Sequence, residues 1–122
     1  MKGYYSTIHS STNGLSGTFF VHLNPECEVY KGHFPGTPVS PGVCNIQMML
    51  ECAEKVARQT LRVRKINRCR FTTLLTPLTH PELEMHIDMQ KKEDNSFLLN
   101  ALIGKGEDVY QTLKAELVPD GQ

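Results

Sequence analysis

The chain has 122 residues, of which 39% are apolar and 21% are charged, a balance typical of a globular protein rather than a disordered one. Lysine plus arginine and aspartate plus glutamate both number 13, so the net charge favours neither a nucleic acid nor a membrane as a partner. No apolar run approaches the roughly 20 residues of a membrane span. The length predicts a single domain over residues 1–122.

The four cysteines predict neither disulfides nor a metal site. Cys27, Cys44, Cys52 and Cys69 are widely spaced and lack the close pairs that bind metals. The N-terminus has no basic segment followed by an apolar one, as a secretion signal would have. We therefore expect reduced thiols, no metal, no cofactor and a cytoplasmic protein.

Two strands are predicted in the first quarter of the chain. The first covers residues 4–8, and a turn pattern follows at residues 12–14. In the second, Phe19, Val21 and Leu23 alternate with Thr18, Phe20 and His22, which indicates a strand that is partly apolar on both faces.

Residues 30–42 contain three prolines and three glycines and predict a rigid, shaped loop. His33 is the titratable residue near the centre of this loop. Ser40 suits the N-cap of a following helix, and Pro41 suits its first position. The backbone N–H groups of Gly42 and Val43 would then be free at the positive end of that helix.

A long helix is predicted from residue 43 to about residue 61, a stretch without glycine or proline. At 100° per residue its core stripe would contain Val43, Ile46, Leu50, Ala53, Ala57 and Leu61. Gln47 would lie at the edge of this stripe, and Glu51 one turn later toward the polar side. Met48 and Met49 would point elsewhere.

The rest of the chain predicts strands and short turns. A strand is expected at residues 67–71, with Cys69 and Phe71 facing the core. Residues 82–89 alternate most clearly, with every second residue apolar, and residues 97–103 and 109–117 complete the set. One helix with several long strands predicts an α+β fold in which an antiparallel sheet packs against that helix.

Residues 33–43 carry a long motif. His33 to Gly36, then Pro38-Val39 and Pro41-Gly42-Val43, closely resemble the motif of the beta-hydroxyacyl-acyl-carrier-protein dehydratases of fatty acid synthesis. The resemblance implies a hot-dog fold, a curved antiparallel sheet wrapped around one long central helix. It also implies a hydro-lyase that acts on thioesters of acyl carrier protein or coenzyme A in fatty acid or related polyketide and lipid synthesis. The implied assembly is a homodimer, with a larger or mixed oligomer left open.

The resemblance also assigns roles to residues. It implies that His33 is the base, that the N–H of Gly42 stabilises charge on the thioester oxygen, and that the acid lies fourteen positions after the histidine. That position holds Gln47, which cannot supply a proton at neutral pH. The implied substrate-binding residues are Phe34, Pro35, Gly36, Val43 and Glu51. In the family the loop of one protomer meets the helix of the other, which here would pair His33 with Gln47 across chains.

Several alternatives remain open. The protein could be a hot-dog thioesterase with Glu51 or Glu54 as base, or a non-catalytic acyl-binding subunit of an active dehydratase. Cys44, at the start of the helix, could have a lowered thiol pKa and act as a nucleophile with His33. Seven basic residues and no acidic one between Lys55 and Arg70 predict a surface that docks an acidic carrier protein.

Overall fold

The computed structural model describes residues 3–32, 36 and 38–120, and in this part of the chain six strands form one antiparallel sheet. The strands are β1 (Tyr5–Asn13), β2 (Ser16–Leu23), β3 (Leu61–Phe71), β4 (Glu82–Lys91), β5 (Phe97–Lys105) and β6 (Asp108–Pro119). Helices α1 (Val29–Gly32) and α2 (Gly42–Ala57) lie between β2 and β3 in the sequence. The α+β prediction is therefore confirmed, although the short α1 precedes the long helix.

The sheet has the order β1-β2-β4-β5-β6-β3, so β1 and β3 form its two edges. The alternation predicted in β4 is confirmed, because its apolar residues are buried and its polar neighbours are more exposed. Gly14 joins β1 to β2 with a φ of +61°, as the turn pattern predicted. β1 extends to Asn13, beyond the predicted residues 4–8, because it pairs along its whole length with β2.

Helix α2 packs against β1, β2, β3 and β4. Its predicted core stripe is only partly confirmed, because Ala53 is buried but other members of the stripe are not. Met48 and Met49 are fully buried, whereas Val43 is 75% exposed and Ile46 and Leu50 are only partly buried. The buried residues of α2 are Asn45, Met48, Met49, Cys52, Ala53 and Val56.

Both ends of α2 differ from the prediction. The helix begins at Gly42, because Pro41 is its N-cap and the Pro41 carbonyl accepts the first backbone N–H groups of the helix. The predicted N-cap, Ser40, makes no capping hydrogen bond. The helix ends at Ala57, four residues before the predicted end, because Arg58 takes a φ of +58°. No helix in the described ranges is long and apolar enough to cross a membrane.

Candidate functional site

The centre of the predicted site lies outside the described residues. This applies to His33, Phe34 and Pro35, so their predicted roles stay predictions. Gly36 is described and has a φ of +78°, a left-handed conformation that favours glycine. The described chain resumes at Pro38 and enters α2 four residues later.

A hydrogen bond between two hydroxyl groups fixes both flanks of the histidine loop, the segment of residues 30–42 that contains His33. The Tyr30 hydroxyl and Ser40 Oγ are 2.9 Å apart, and both residues are buried. The Tyr30 ring also stacks on Tyr4, with ring centroids 5.9 Å apart. On the other flank, the Ser40 N–H donates to the carbonyl of Leu75 at 2.7 Å. The ten-residue span from Tyr30 to Ser40 is therefore closed by contacts to the core.

We expect Tyr30→Phe to lower the free energy of unfolding by about 1 kcal/mol, because the buried Ser40 hydroxyl loses its side-chain partner. Ser40→Ala should lower the free energy of unfolding by a similar amount. The double variant should lower it by less than the sum of the two single effects. Urea denaturation of the four proteins measures this coupling. Additive effects would show that the two hydroxyls contribute independently.

The start of α2 leaves two backbone donors available. Neither the N–H of Gly42 nor that of Val43 donates a hydrogen bond to any described residue. The Phe71 ring lies directly over Gly42, and a Cβ built on Gly42 would lie 2.5 Å from Phe71 Cζ. Phe71 was predicted to face the core, yet it is 52% exposed. Glycine at position 42 therefore permits the close approach of this ring to the helix start.

A buried network of polar side chains holds this part of the helix in place. The Tyr4 hydroxyl donates to Asn45 Oδ1 at 2.7 Å, and Asn45 Nδ2 donates to Gln111 Oε1 at 3.0 Å. Gln111 Nε2 in turn donates a hydrogen bond to Cys69 Sγ at 3.7 Å. Burial raises the pKa of the Tyr4 phenol far above its usual range, so Tyr4 stays a donor. The network joins α2 to β6 and β3.

Gln47 and Glu51 contact each other one turn apart on α2. Gln47 Nε2 donates to Glu51 Oε2 at 3.1 Å. The other carboxylate oxygen, Oε1, accepts the Tyr5 hydroxyl at 2.7 Å. Burial and the neighbouring carboxylate raise the pKa of the Tyr5 phenol, which keeps its proton. Glu51 was placed toward the polar side of the helix, but the residue is partly buried and its carboxyl group accepts a hydrogen bond on each oxygen.

Tyr5 carries no sequence signal for this contact, because it lies 46 positions before Glu51. The pairing of β1 with β2 at the sheet edge brings Tyr5 to the helix.

Two residues of the alternative readings have other functions in the structure. Glu54 Oε2 accepts the backbone N–H of Leu61 at 2.9 Å, so this carboxyl group fixes the turn between α2 and β3. Burial raises the pKa of the Cys44 thiol, contrary to the predicted lowering. A raised thiol pKa does not favour the thiolate that a cysteine nucleophile needs.

A small apolar cleft adjoins the histidine loop. It has a volume of about 240 Å³. It lies between Gly36, Pro38 and Val39 on one side and the connection from β3 to β4 on the other, where Leu74 and Leu78 are 74% and 66% exposed. A larger groove of about 710 Å³ lies away from the loop, on outward-facing polar residues of the sheet. In the described residues, no three His, Cys, Asp or Glu side chains come together as metal ligands would.

The predicted basic surface is divided by the fold. Arg64 donates to Asp94 at 3.3 Å and to Glu116 at 3.0 Å, so two carboxylates balance its charge locally. Lys55 belongs to α2, Arg58 follows it, and the remaining basic residues lie on β3. The seven charges are therefore carried by α2, the residue after it and β3, and their docking of a carrier protein stays a prediction.

The model of the ApeI-like family, described as ApeI dehydratase, matches residues 9–110. The chain belongs to the ApeI-like dehydratase family. Among curated proteins, the 3-hydroxyacyl-[acyl-carrier-protein] dehydratase FabZ of Pediococcus pentosaceus is 35% identical over 75 residues. FabZ of Lactobacillus helveticus is 33% identical over 75 residues. Each alignment covers 56% of this chain and 49% of the relative, so the chain spans about half the length of these curated relatives.

Two solved structures share the fold of this ApeI-like protein over nearly the whole chain. The dehydratase heterocomplex ApeI:P from Xenorhabdus doucetiae matches with a TM-score of 0.70 at 19% identity, covering 97% of this chain and 99% of that one. An uncharacterised protein of Erwinia carotovora subsp. atroseptica matches with a TM-score of 0.73 at 18% identity, covering 97% and 98%. The hot-dog fold implied by the motif is therefore supported by fold similarity as well as by the family match.

Proposed function

We propose that the protein is a 3-hydroxyacyl thioester dehydratase that removes water to give the trans-2-enoyl thioester. The observation that carries the proposal is the arrangement at the start of α2. The loop of His33 leads directly into a helix whose first two N–H groups, those of Gly42 and Val43, have no partner among the described residues. The family match and the FabZ relatives support the same reaction.

The reaction needs a base and a site for negative charge. A neutral imidazole at His33 takes the proton from the carbon next to the thioester carbonyl, since an unperturbed histidine has a pKa near 6.5. Electron density then moves onto the carbonyl oxygen, where the N–H groups of Gly42 and Val43 donate hydrogen bonds. When the density returns, it forms the C2–C3 double bond and the C3–O bond breaks. The apolar cleft beside Gly36 is the proposed site of the acyl chain.

The leaving hydroxyl must receive a proton to depart as water. Gln47 cannot provide it, but its amide donates a hydrogen bond to Glu51, a carboxyl group one turn later on α2. Two arrangements satisfy the chemistry. In one, no protein group acts as the acid and the departing hydroxyl takes its proton slowly from solvent water. In the other, Glu51 donates the proton, with Gln47 and Tyr5 as its positioning residues.

The proposed active site includes a second subunit. The motif implies that the loop of one protomer meets α2 of another, and Val43 and Phe71 are left exposed at that place. A thioester of acyl carrier protein or coenzyme A is the proposed substrate. The solved relative ApeI:P is a heterocomplex, so a non-catalytic subunit that pairs with an active homologue is the second candidate function.

The test is an assay with 3-hydroxyacyl and 2-enoyl thioesters that follows enoyl absorbance and free thiol together. We expect enoyl formation and hydration without thiol release, and His33→Ala should abolish both directions. The matched control is His86→Ala, because that histidine lies on the outer face of β4 and should leave the rate unchanged. Thiol release would identify a thioesterase instead. No turnover by the protein alone, with turnover restored by a second homologue, would identify the partner-subunit function.

A further inference from the structure

The outer face of the sheet carries a groove that the proposed reaction does not use. The groove has a volume of about 710 Å³, which lies in the usual range for a small-molecule site. Helix α2 packs on the opposite, inner face, where the apolar residues of the strands are buried. A ligand in the groove would therefore be separated from α2 by the sheet itself.

One row of outward side chains crosses this groove from strand to strand. Asp88 on β4 lies opposite Asn100 on β5, which lies opposite Lys114 on β6. Lys114 in turn lies opposite Arg68 on β3. All four residues are exposed and line the groove. The row therefore runs from a carboxylate through an amide to two cations.

The two cations at the end of this row have no counter-charge within the described chain. Neither Lys114 nor Arg68 makes a side-chain hydrogen bond or ion pair with any residue in the described ranges. Glu116, the next outward residue of β6, is bound by Arg64 at 3.0 Å. Directly opposed residues have Cβ atoms about 4.5–5.5 Å apart, and like charges at such positions destabilise a sheet. An anion between Lys114 and Arg68 would remove this repulsion.

A third cation and two neutral donors adjoin this pair. Arg70 lies two positions beyond Arg68 on the same side of β3, opposite Thr112. The Thr112 hydroxyl and the Asn100 amide belong to residues that line the groove. An arginine donates two parallel hydrogen bonds to a phosphate, and a lysine adds a point charge. Because a phosphate monoester has three acceptor oxygens and a carboxylate only two, the phosphate better matches this number of donors.

From the cations the groove extends over an apolar residue to the carboxylate. Leu102 is half-buried and lies opposite His86 in the neighbouring row. Asp88 Oδ1 accepts the Ser16 hydroxyl at 2.8 Å, and Oδ2 has no partner among the described residues. Asp88 and Lys114 are two strand spacings apart, about 9.5 Å. This distance suits a molecule in which a ring separates a phosphate from hydroxyl or amino groups.

We infer that the outer face of the sheet binds a small phosphate ester. The phosphate lies on Lys114 and Arg68, the ring packs on Leu102, and a hydroxyl or amino group donates to Asp88. The strands separate this site from α2, so it is a second site that goes beyond the dehydratase reaction. Its ligand is recognised by the phosphate and the ring, not by an acyl chain.

Adenosine 5′-monophosphate is the probe, because it combines a phosphate, hydroxyl groups and a flat ring. Its binding to the full chain is measured by titration calorimetry at low salt, beside inorganic phosphate and adenosine. We expect the nucleotide to bind about tenfold or more tightly than inorganic phosphate, since only the nucleotide also reaches Leu102 and Asp88. Adenosine, which lacks the phosphate, should not bind measurably.

Three variants test the assigned contacts. Lys114→Gln should weaken the nucleotide and inorganic phosphate alike by about tenfold or more, because a charge-assisted hydrogen bond is lost. Without ligand, the same variant should unfold at a higher temperature than wild type, since it removes the repulsion of Arg68. Asp88→Ala should weaken the nucleotide but not inorganic phosphate. The matched control Lys91→Gln removes a cation at the end of β4, outside the groove, and should change neither affinity.

Three results would overturn the site. One is equal affinity of the nucleotide for wild type and Lys114→Gln, and another is a nucleotide that binds no more tightly than inorganic phosphate. The third is a loss of turnover of carrier-linked substrate in Lys114→Gln without measurable nucleotide binding, which would assign the cations to a carrier protein. Coenzyme A as a competitor identifies the source of the phosphate. Displacement of the nucleotide indicates a thioester of coenzyme A, and no displacement indicates a free phosphate ester.

Discussion

Gln47→Glu is expected to raise the rate of enoyl formation by about 10²–10⁴-fold, the usual contribution of a general acid. The wild type has an amide at this position, and an amide does not donate a proton at neutral pH. The substitution adds a carboxyl group of nearly the same size, so the loop and the donors of Gly42 keep their places. The measurement is the rate of dehydration and hydration with a 3-hydroxyacyl and an enoyl thioester.

The contact between residues 47 and 51 makes this substitution favourable for acid catalysis. Gln47 Nε2 lies 3.1 Å from Glu51 Oε2, so a glutamate at 47 would set two carboxyl groups side by side. Two such groups cannot both ionise easily, and the pair titrates with one raised pKa. A proton is therefore retained near neutral pH, as a general acid requires.

Glu51→Gln distinguishes the two arrangements of the acid. If no acid acts in the wild type, Glu51→Gln should change the slow rate little, and Gln47→Glu should raise it. If Glu51 already donates the proton, Glu51→Gln should greatly lower the rate and Gln47→Glu should raise it little. His33→Ala should abolish turnover in both backgrounds. A fast wild type that loses activity on Gln47→Glu would contradict the missing-acid argument and assign Gln47 a water-orienting role.

Tyr5→Phe is the matched control for this cluster. It removes the hydroxyl that donates to Glu51 Oε1 at 2.7 Å and leaves the carboxyl group itself in place. Where Glu51 donates the proton, we expect a smaller loss of turnover than for Glu51→Gln, because the carboxyl group itself remains.

The strands could be predicted from the sequence better than the helix could. In β4 a polar residue separates each pair of apolar ones. Because alternate side chains of a strand point to opposite faces, all the apolar residues lie on one face, which is the buried one. Helix α2 has apolar residues on two faces, one containing Met48 and Met49 and the other containing Val43, Ile46 and Leu50. Periodicity alone does not tell which face packs on the chain's own sheet. The structure buries the methionine face and leaves Val43 exposed at the proposed subunit contact.

The candidate site was predictable where the motif is continuous and not where it depends on long-range packing. The free N–H groups of Gly42 and Val43 and the amide at position 47 follow from residues close in the sequence. The contacts of Glu51 with Tyr5 and of Asn45 with Gln111 join residues 46 and 66 positions apart. Asn45 in particular carries no sign of burial, because a polar residue in a helix is usually exposed.

Asn45→Ala is expected to lower the free energy of unfolding by about 2–6 kcal/mol, since two buried groups lose their partner at about 1–3 kcal/mol each. These are the Tyr4 hydroxyl and Gln111 Oε1. Urea denaturation measures the change as a lower midpoint with an unaltered slope. Gln59→Ala, an exposed substitution just after α2, is the matched control and should stay within about 0.5 kcal/mol of wild type.

A double-variant cycle tests whether the network acts as a unit. Tyr4→Phe alone should cost about 1 kcal/mol, because it removes one hydrogen bond and leaves Asn45 bonded to Gln111. In the Asn45→Ala background the same change should cost almost nothing, since the hydroxyl there is already unpaired. Because the network anchors the first turns of α2, Asn45→Ala should also reduce turnover below what its remaining folded fraction explains. Additive stabilities, or turnover that simply follows the folded fraction, would show that the network does not position the helix start.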